Sequence, residues 1–196
     1  MSNGFLLLTD GMRHAARRLA SMAKHRLRIR VMGGRILPLA QVATDLGDAD
    51  RDMCAVVVAV IFDQPQRPEL RFVIGVERSA LRPLTVAIAG EDLASDPRMA
   101  TSVLQELGNI GASAMSNHLA TQLGCTVRIS APDVVEDRWG AVASAVLGSF
   151  RDPADEMATL STEFTLDGRR FAGAAILMAD RNVEFSNSLS SSILGV

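Results

Sequence analysis

Residues 102–132 read Ser102-Val-Leu-Gln-Glu106-Leu-Gly-Asn109-Ile-Gly-Ala-Ser113-Ala-Met-Ser-Asn-His-Leu-Ala-Thr-Gln-Leu-Gly124-Cys-Thr-Val-Arg-Ile-Ser-Ala-Pro132, and how this stretch folds decides the rest of the chain. Its first part has a helical pattern that Gly124 is well placed to stop, and a strand alternation follows. At about 100° per residue on an α-helix, Ser102, Glu106, Asn109 and Ser113 fall within an arc of roughly 60° and form one narrow polar stripe. A carboxylate beside an amide can grip a cation on a partner and hold a water in a fixed orientation, which is most of what phosphoryl hydrolysis asks of a protein.

Working outward, Asp96-Pro97 offers a helix cap followed by proline at the first helical position, so the motif helix is expected to open there. A weak internal repeat lies at an offset of 100 residues: Ser2, Leu7, Gly11, Leu19, Ala20, Arg28 and Ile29 recur as Ser102, Leu107, Gly111, Leu119, Ala120, Arg128 and Ile129. Each copy reads as helix, then strand. The pairs Met53 to Phe62 with Leu70 to Val76, and Ala158 to Leu166 with Arg170 to Met178, read as strands joined by Gln64-Pro-Gln-Arg-Pro68 and by Asp167-Gly168. Leu81 to Ile88 is expected to supply a connecting helix, and Gly33-Gly34 a turn. Each half has only three or so strands and one main helix, and a duplicated unit of that kind usually shares one sheet. The expected fold is therefore a single pseudo-symmetric α+β domain over 1–196, with repeat 1 at about 1–80, repeat 2 at about 96–180 and a flexible tail at 186–196.

Asp-or-Ser, three residues, Glu, two residues, Asn, twenty-two residues and Pro is a pattern that resembles the signature of the CheC/CheX/FliY phosphatases of bacterial chemotaxis, and Ser102, Glu106, Asn109 and Pro132 match all four positions. At ordinary residue abundances it arises by chance at about 10⁻⁵ per starting position. The wording Glu106-Leu-Gly-Asn-Ile-Gly-Ala112 is similar to the family's usual Glu-Ile-Gly-Asn-Ile-Gly-Ala-Gly-Asn and adds specificity. The resemblance implies a continuous, mainly antiparallel sheet made by both repeats, with two long motif-bearing helices packed on it. It also implies hydrolysis of the aspartyl phosphate on a phosphorylated CheY-like receiver. Mg²⁺ would be held by that receiver, with no metal or cofactor of the chain's own. Asn109 would orient the attacking water, Glu106 would pair with a receiver lysine, and Ser102 and Ser113 would be flanking contacts at most. Pro132 would be a rigid support, and Gly108 and Gly111 would give a low surface for the partner backbone to approach.

One departure from the family pattern matters. Many CheC-type proteins carry Glu and Asn in both repeats, whereas here Leu6 stands where 106 is Glu, Thr9 where 109 is Asn and Met32 where 132 is Pro. At most one active centre is implied, on the second repeat. The rival expectation is a non-catalytic CheC-like adaptor that binds a receiver, the deamidase CheD or flagellar switch components, as the related middle domain of FliM does. The degenerate first repeat favours the adaptor slightly; retention of Glu106 and Asn109 together opposes it. The chain also ends soon after the last hairpin, leaving no room for the further C-terminal domain expected of a rotor component.

Composition bounds the alternatives. The chain of 196 residues, 48% hydrophobic and 21% charged, is expected to be a soluble, cytoplasmic protein with a real core. The longest apolar run, Met53 to Phe62, is far too short to cross a bilayer, and the N-terminus lacks a signal-peptide layout. A formal charge of −2 argues against a general nucleic-acid binder. Positions 11 to 44 nevertheless carry Arg13, Arg17, Arg18, Lys24, Arg26, Arg28, Arg30 and Arg35 with no acidic residue among them. Such an excess suits steering of an acidic partner, but Leu27, Ile29 and Val31 alternating with Arg26, Arg28 and Arg30 is first of all the pattern of a half-buried strand. No aromatic residues interleave with these cations, which weakens a single-strand nucleic-acid reading. Cys54 and Cys125 form neither a disulfide framework nor a metal-ligand spacing and read as buried thiols, and His14, His25 and His118 are scattered. Gly111-Ala-Ser113-Ala-Met115 is no nucleophile elbow, because Met115 stands where the last glycine belongs. Trp139 reads equally as a contact residue or a core anchor.

Overall fold

The computed structural model describes residues 3–23, 27–38, 41–42, 44, 48–63, 70–147 and 156–179. The linker 64–68, Lys24, His25, Arg26 and the expected tail at 186–196 lie outside the described residues. Among those described, helix α1 (Asn3–Met22) leads into strand β1 (Leu27–Pro38), then β2 (Asp52–Phe62), β3 (Leu70–Glu77) and helix α2 (Arg78–Ala89). The second half runs through α3 (Pro97–Leu123), β4 (Val127–Ile129), β5 (Asp133–Arg138), α4 (Trp139–Leu147), β6 (Glu156–Leu166) and β7 (Arg169–Ala179).

All seven strands share one sheet in the order β1-β6-β7-β3-β2-β4, with β5 also on β2, and every pairing is antiparallel. Both expected hairpins form. Asp167 and Gly168 take φ of 47° and 81°, the left-handed pair that a tight two-residue turn between right-twisted strands requires. The two hairpins meet at the centre, where β3 runs beside β7 with Val73 opposite Ile176. Exchanging β1, β2 and β3 for β4–β5, β6 and β7 leaves the order unchanged, so each half contributes one hairpin to the middle and one strand to an edge.

Alternation along the central strands buries both faces. Cys54, Val56 and Val58 of β2 and Phe72, Ile74 and Val76 of β3 join α1, α2 and α3 in the larger core. Met53 and Ala55, with Val73, face a smaller core built on Val42 and α4. Such two-sided burial explains why β2 reads as a continuous apolar run. Trp139 is 3% exposed and anchors the smaller core, which settles its role. The start of α4 is tied down by Trp139 N–H donating to Arg51 O at 2.8 Å and Gly140 N–H to Ala49 O at 2.9 Å.

Three expectations need correction. Gly33-Gly34 is no turn: it lies within β1, at a register irregularity between Val31 and Gly33. Cys54 is buried, and burial pushes its thiol up to about 11, but Cys125 is only half-buried. Helix α4 has no counterpart in the expected elements.

Candidate active site on the third helix

Local chemistry sets the length of α3. The Asp96 carboxylate accepts from Arg98 N–H at 2.9 Å and caps the first turn, while Pro97 takes the first helical position, where no N–H is needed. The same carboxylate also accepts from the Arg98 guanidinium, and these bonds hold it below the usual carboxylate range. At the other end Gly124 takes φ 61°, and its N–H donates to Ala120 O. The 27-residue helix between them packs against α1, α2, the face of β2 and the edge segments β4 and β5.

The buried face of α3 runs through Leu104, Leu107, Gly108, Gly111, Ala112, Met115 and Leu119. Ser102, Glu106 and Asn109 are exposed and Ser113 is half-buried, so the polar stripe lies about 180° around the helix from the core. Ser102 Oγ donates back to Arg98 O at 3.0 Å and is thereby partly occupied. Glu106 and Asn109 have no hydrogen bond or ion pair with any described residue. Their carboxylate and amide are exposed on a helix and, among the described residues, unengaged, as a docking and positioning pair needs to be.

Gly108 does not lie on this surface. A Cβ there would collide with both methyls of Val56, one of them at 2.8 Å, and a Cβ at Gly111 would meet Ile74 Cδ1 at 2.8 Å and Phe72 Cε1 at 3.2 Å. The low helix surface these glycines provide is turned toward the sheet, so, contrary to expectation, it is not a surface that a partner backbone can approach. Their contribution to the site is indirect: they bring α3 close onto β2 and β3 and so set the height of the stripe above the sheet.

Pro132 is half-buried between β4 and β5, at the sheet edge against which α3 packs. The edge is interrupted here. β4 pairs with the end of β2, from Val60 opposite Ile129, and β5 with its start, from Val57 opposite Asp133. In the gap, Ser130 N–H donates to Ala59 O and Ser130 Oγ accepts from Ala59 N–H, both at 3.0 Å. A serine hydroxyl thus replaces a ladder carbonyl just where proline removes a ladder donor. Ser130 was missed as a supporting residue, although Ser-Ala-Pro inside a strand pattern is the signal for such a break.

The side chains behind α3 add one titrating contact. The His118 ring stacks on His14 of α1 with centroids 5.4 Å apart. Burial, and secondarily the neighbouring His14, push His118 below the usual imidazole value, against a weaker upward pull from Asp10. Among the described residues, no group of three or more His, Cys, Asp or Glu is arranged to hold a metal ion, and no helix is long and apolar enough to cross a membrane.

Comparison with known proteins bears on the motif segment and on the fold. The CheC-like family model covers residues 99–136, the segment that holds the stripe and Pro132. The fold is that of Thermotoga maritima FliY, with a TM-score of 0.69 at 16% identity over 92% of this chain and 88% of that one. The FliM middle domain from Vibrio alginolyticus gives a TM-score of 0.61 at 13% identity, covering 97% of this chain and 98% of the other. A CheC-like chemotactic protein from Shewanella oneidensis gives 0.55 at 13% identity over 87% and 97%. No curated protein matches by sequence. The resemblance to the CheC/CheX/FliY family is upheld: the motif segment fits the family's model, and 87–97% of the chain superposes on the fold of FliY, FliM and CheC-like proteins.

Proposed function

We propose that this protein is a phosphatase of a CheY-like response regulator, with one active site on α3. The observation that carries the proposal is the pairing of Glu106 and Asn109, exposed and without a side-chain partner among the described residues, on a helix whose opposite face is in the core. An acyl phosphate is already labile, so an acceleration of about 10²–10³, equivalent to about 3–4 kcal/mol, is within reach of positioning alone. Glu106 draws a receiver lysine away from the phosphoryl group and fixes the register of the complex. The Asn109 amide accepts from and donates to water, and holds one in line with phosphorus. The divalent cation belongs to the receiver. The division of the chain into a first copy without the site and a second copy with it is part of the same proposal.

The adaptor alternative draws on a specific likeness, because the FliM middle domain superposes over nearly the whole chain. FliM of H. pylori is known in complexes with FliG and with SpeE, so this fold serves as a binding module there. On that alternative the partner is a receiver, CheD or a flagellar switch component, and no turnover occurs. The two are separated by following the decay of a phosphorylated CheY-type receiver in Mg²⁺ buffer, with and without this protein, alongside a binding titration. Faster decay supports the phosphatase; saturable binding with unchanged decay makes the protein an adaptor.

A further inference from the structure

A groove of about 470 Å³ lies between α1 and the outer edge of β1, in the half of the molecule without the Glu-Asn pair. Ala16, Leu27, Ile29 and Val31 line its apolar part, with Arg13 and Arg17 beside them on α1 and Arg28 and Arg30 bordering it from β1. Leu27 is in the larger core and Ile29 and Val31 pack against it, so the alternation of the strand turns Arg28 and Arg30 to the opposite face of the same edge. All four arginines are exposed. Arg13 pairs with Asp10 at 2.9 Å, but Arg17, Arg28 and Arg30 have no ion pair among the described residues. Glu163 stands across the strand from Arg30, yet its carboxylate is directed to Arg170 at 3.6 Å.

The backbone adds a second feature. β1 is last in the sheet order and pairs only with β6 among the described strands, so every second residue of Leu27–Val31 turns its N–H and C=O away from the sheet. A sheet edge with open backbone groups, an apolar strip on one face and cations on both is a template for β-strand addition by a segment of opposite charge. The cationic character is local. Positions 11–44 hold eight basic and no acidic residues, and the rest of the chain has ten more acidic than basic ones.

We propose that the β1 edge is a docking site for an extended acidic segment of a protein partner, which adds as an eighth strand alongside Leu27–Val31. Backbone hydrogen bonds to β1 provide the register. Acidic side chains on one face of the added strand meet Arg28 and Arg30, and those on the other meet Arg13 and Arg17 at the rim of the groove. Small apolar side chains on that second face cover Ile29 and Val31. The site is separate from the stripe on α3 and holds whether or not α3 is catalytic.

The test is a fluorescence-polarisation titration of the full chain with a labelled short peptide alternating Glu and Val. Three further probes accompany it: the same peptide with Lys for Glu, the same peptide N-methylated at alternate residues, and inorganic phosphate as a competitor. Saturable binding of the Glu peptide, absent with the Lys peptide and lost on N-methylation, is expected. With the Glu face of the peptide on Arg28 and Arg30 and its Val face over Ile29 and Val31, Arg28→Glu and Arg30→Glu are each expected to weaken binding about ten-fold or more, since a reversed charge in a paired site costs upwards of 1.4 kcal/mol. Arg128→Glu, the same change on β4 at the far edge, leaves binding unaltered and shows that a reversed strand arginine does not itself unfold the chain. No binding of the Glu peptide at low salt overturns the proposal. Binding indifferent to N-methylation reduces the surface to a diffuse cationic patch and overturns strand addition. Complete displacement of the bound Glu peptide by millimolar phosphate, where chloride at the same ionic strength has no effect, makes it a small-anion site and overturns strand addition.

Discussion

The two edges of the sheet start alike and then part. β1 begins opposite the end of β6, with Leu27 across from Leu166, and β4 begins opposite the end of β2, with Val127 across from Phe62. A few residues on, both lose register. At the first edge the strand passes through an irregularity at Met32, between Val31 and Gly33, and continues to Pro38. At the second edge, Ser130 bonds back to Ala59, Pro132 follows without an N–H to give, and a new strand starts at Asp133. The helices that precede these edges differ in the same sense. α3 carries Glu106 and Asn109 facing solvent, where α1 has Leu6 and Thr9 at the corresponding places. The larger core depends on both helices, whereas the Glu-Asn pair stands on one alone, on a face that the core does not constrain.

The largest expected effect sharpens that contrast. Glu106→Ala should slow assisted receiver dephosphorylation more than about ten-fold and also weaken the complex, because charge pairing sets both docking and register. Thr9→Ala in α1 should leave the rate and the affinity unchanged; a comparable loss there would mean that the first half contributes to the site. Next come the glycines under the helices. Gly108→Ala forces a methyl into Val56 and should destabilise the protein by up to about 2 kcal/mol, an overpacking cost of about 1–3 kcal/mol reduced by the roughly 1 kcal/mol better helix propensity of alanine. Gly11→Ala meets the flexible thioether end of Met115, which can move aside, so urea denaturation should show a smaller loss. If Gly11→Ala proves the more costly of the two, α1 and not α3 is the tightly seated helix. Removing the cap with Asp96→Ala should cost about 1 kcal/mol, read from the same urea midpoints.

The smallest effect concerns the histidine contact between the helices. The folded state holds the His118 value down, so the unfolded chain takes up a proton first and stability must fall as pH drops through the unfolded value of 6.5. A scan from pH 7.5 to 5 should therefore show a decreasing melting temperature, with part of the slope removed by His118→Gln. The Asp10–Arg13 pair beside the rings bounds the size of the effect, because Asp10 pulls the imidazole value the other way. A flat profile in the wild type would mean that protonation of His118 is not opposed by the fold.

Much of this was legible because it rests on local chemistry. Asp96-Pro97 and Gly124 mark the ends of α3 by their side chains and backbone preference alone, and Asp167-Gly168 marks its hairpin in the same way. The stripe on α3 follows from helical geometry and four residue identities. What escaped depends on what a residue packs against. Gly108 and Gly111 have no side chain to report a face, and only the nearness of Val56, Phe72 and Ile74 shows that they point inward. Trp139 sits beside charged residues in sequence, yet it is buried because the second face of β2 and β3 needs a cover. The short apolar run after it became α4 for the same reason. Gly33-Gly34 resembled a turn because glycine pairs usually make one, whereas pairing with β6 carries the strand straight through.

The central claim is that the Asn109 amide positions the water while Glu106 holds the partner, and Asn109→Ala addresses it most directly. Receiver-phosphate decay under single-turnover conditions, measured together with the affinity for the phosphorylated receiver, should show assisted hydrolysis reduced by about ten-fold or more, with affinity changed less than about three-fold. Equal loss of affinity and rate, or assisted decay that survives the substitution, would contradict a water-positioning role for Asn109.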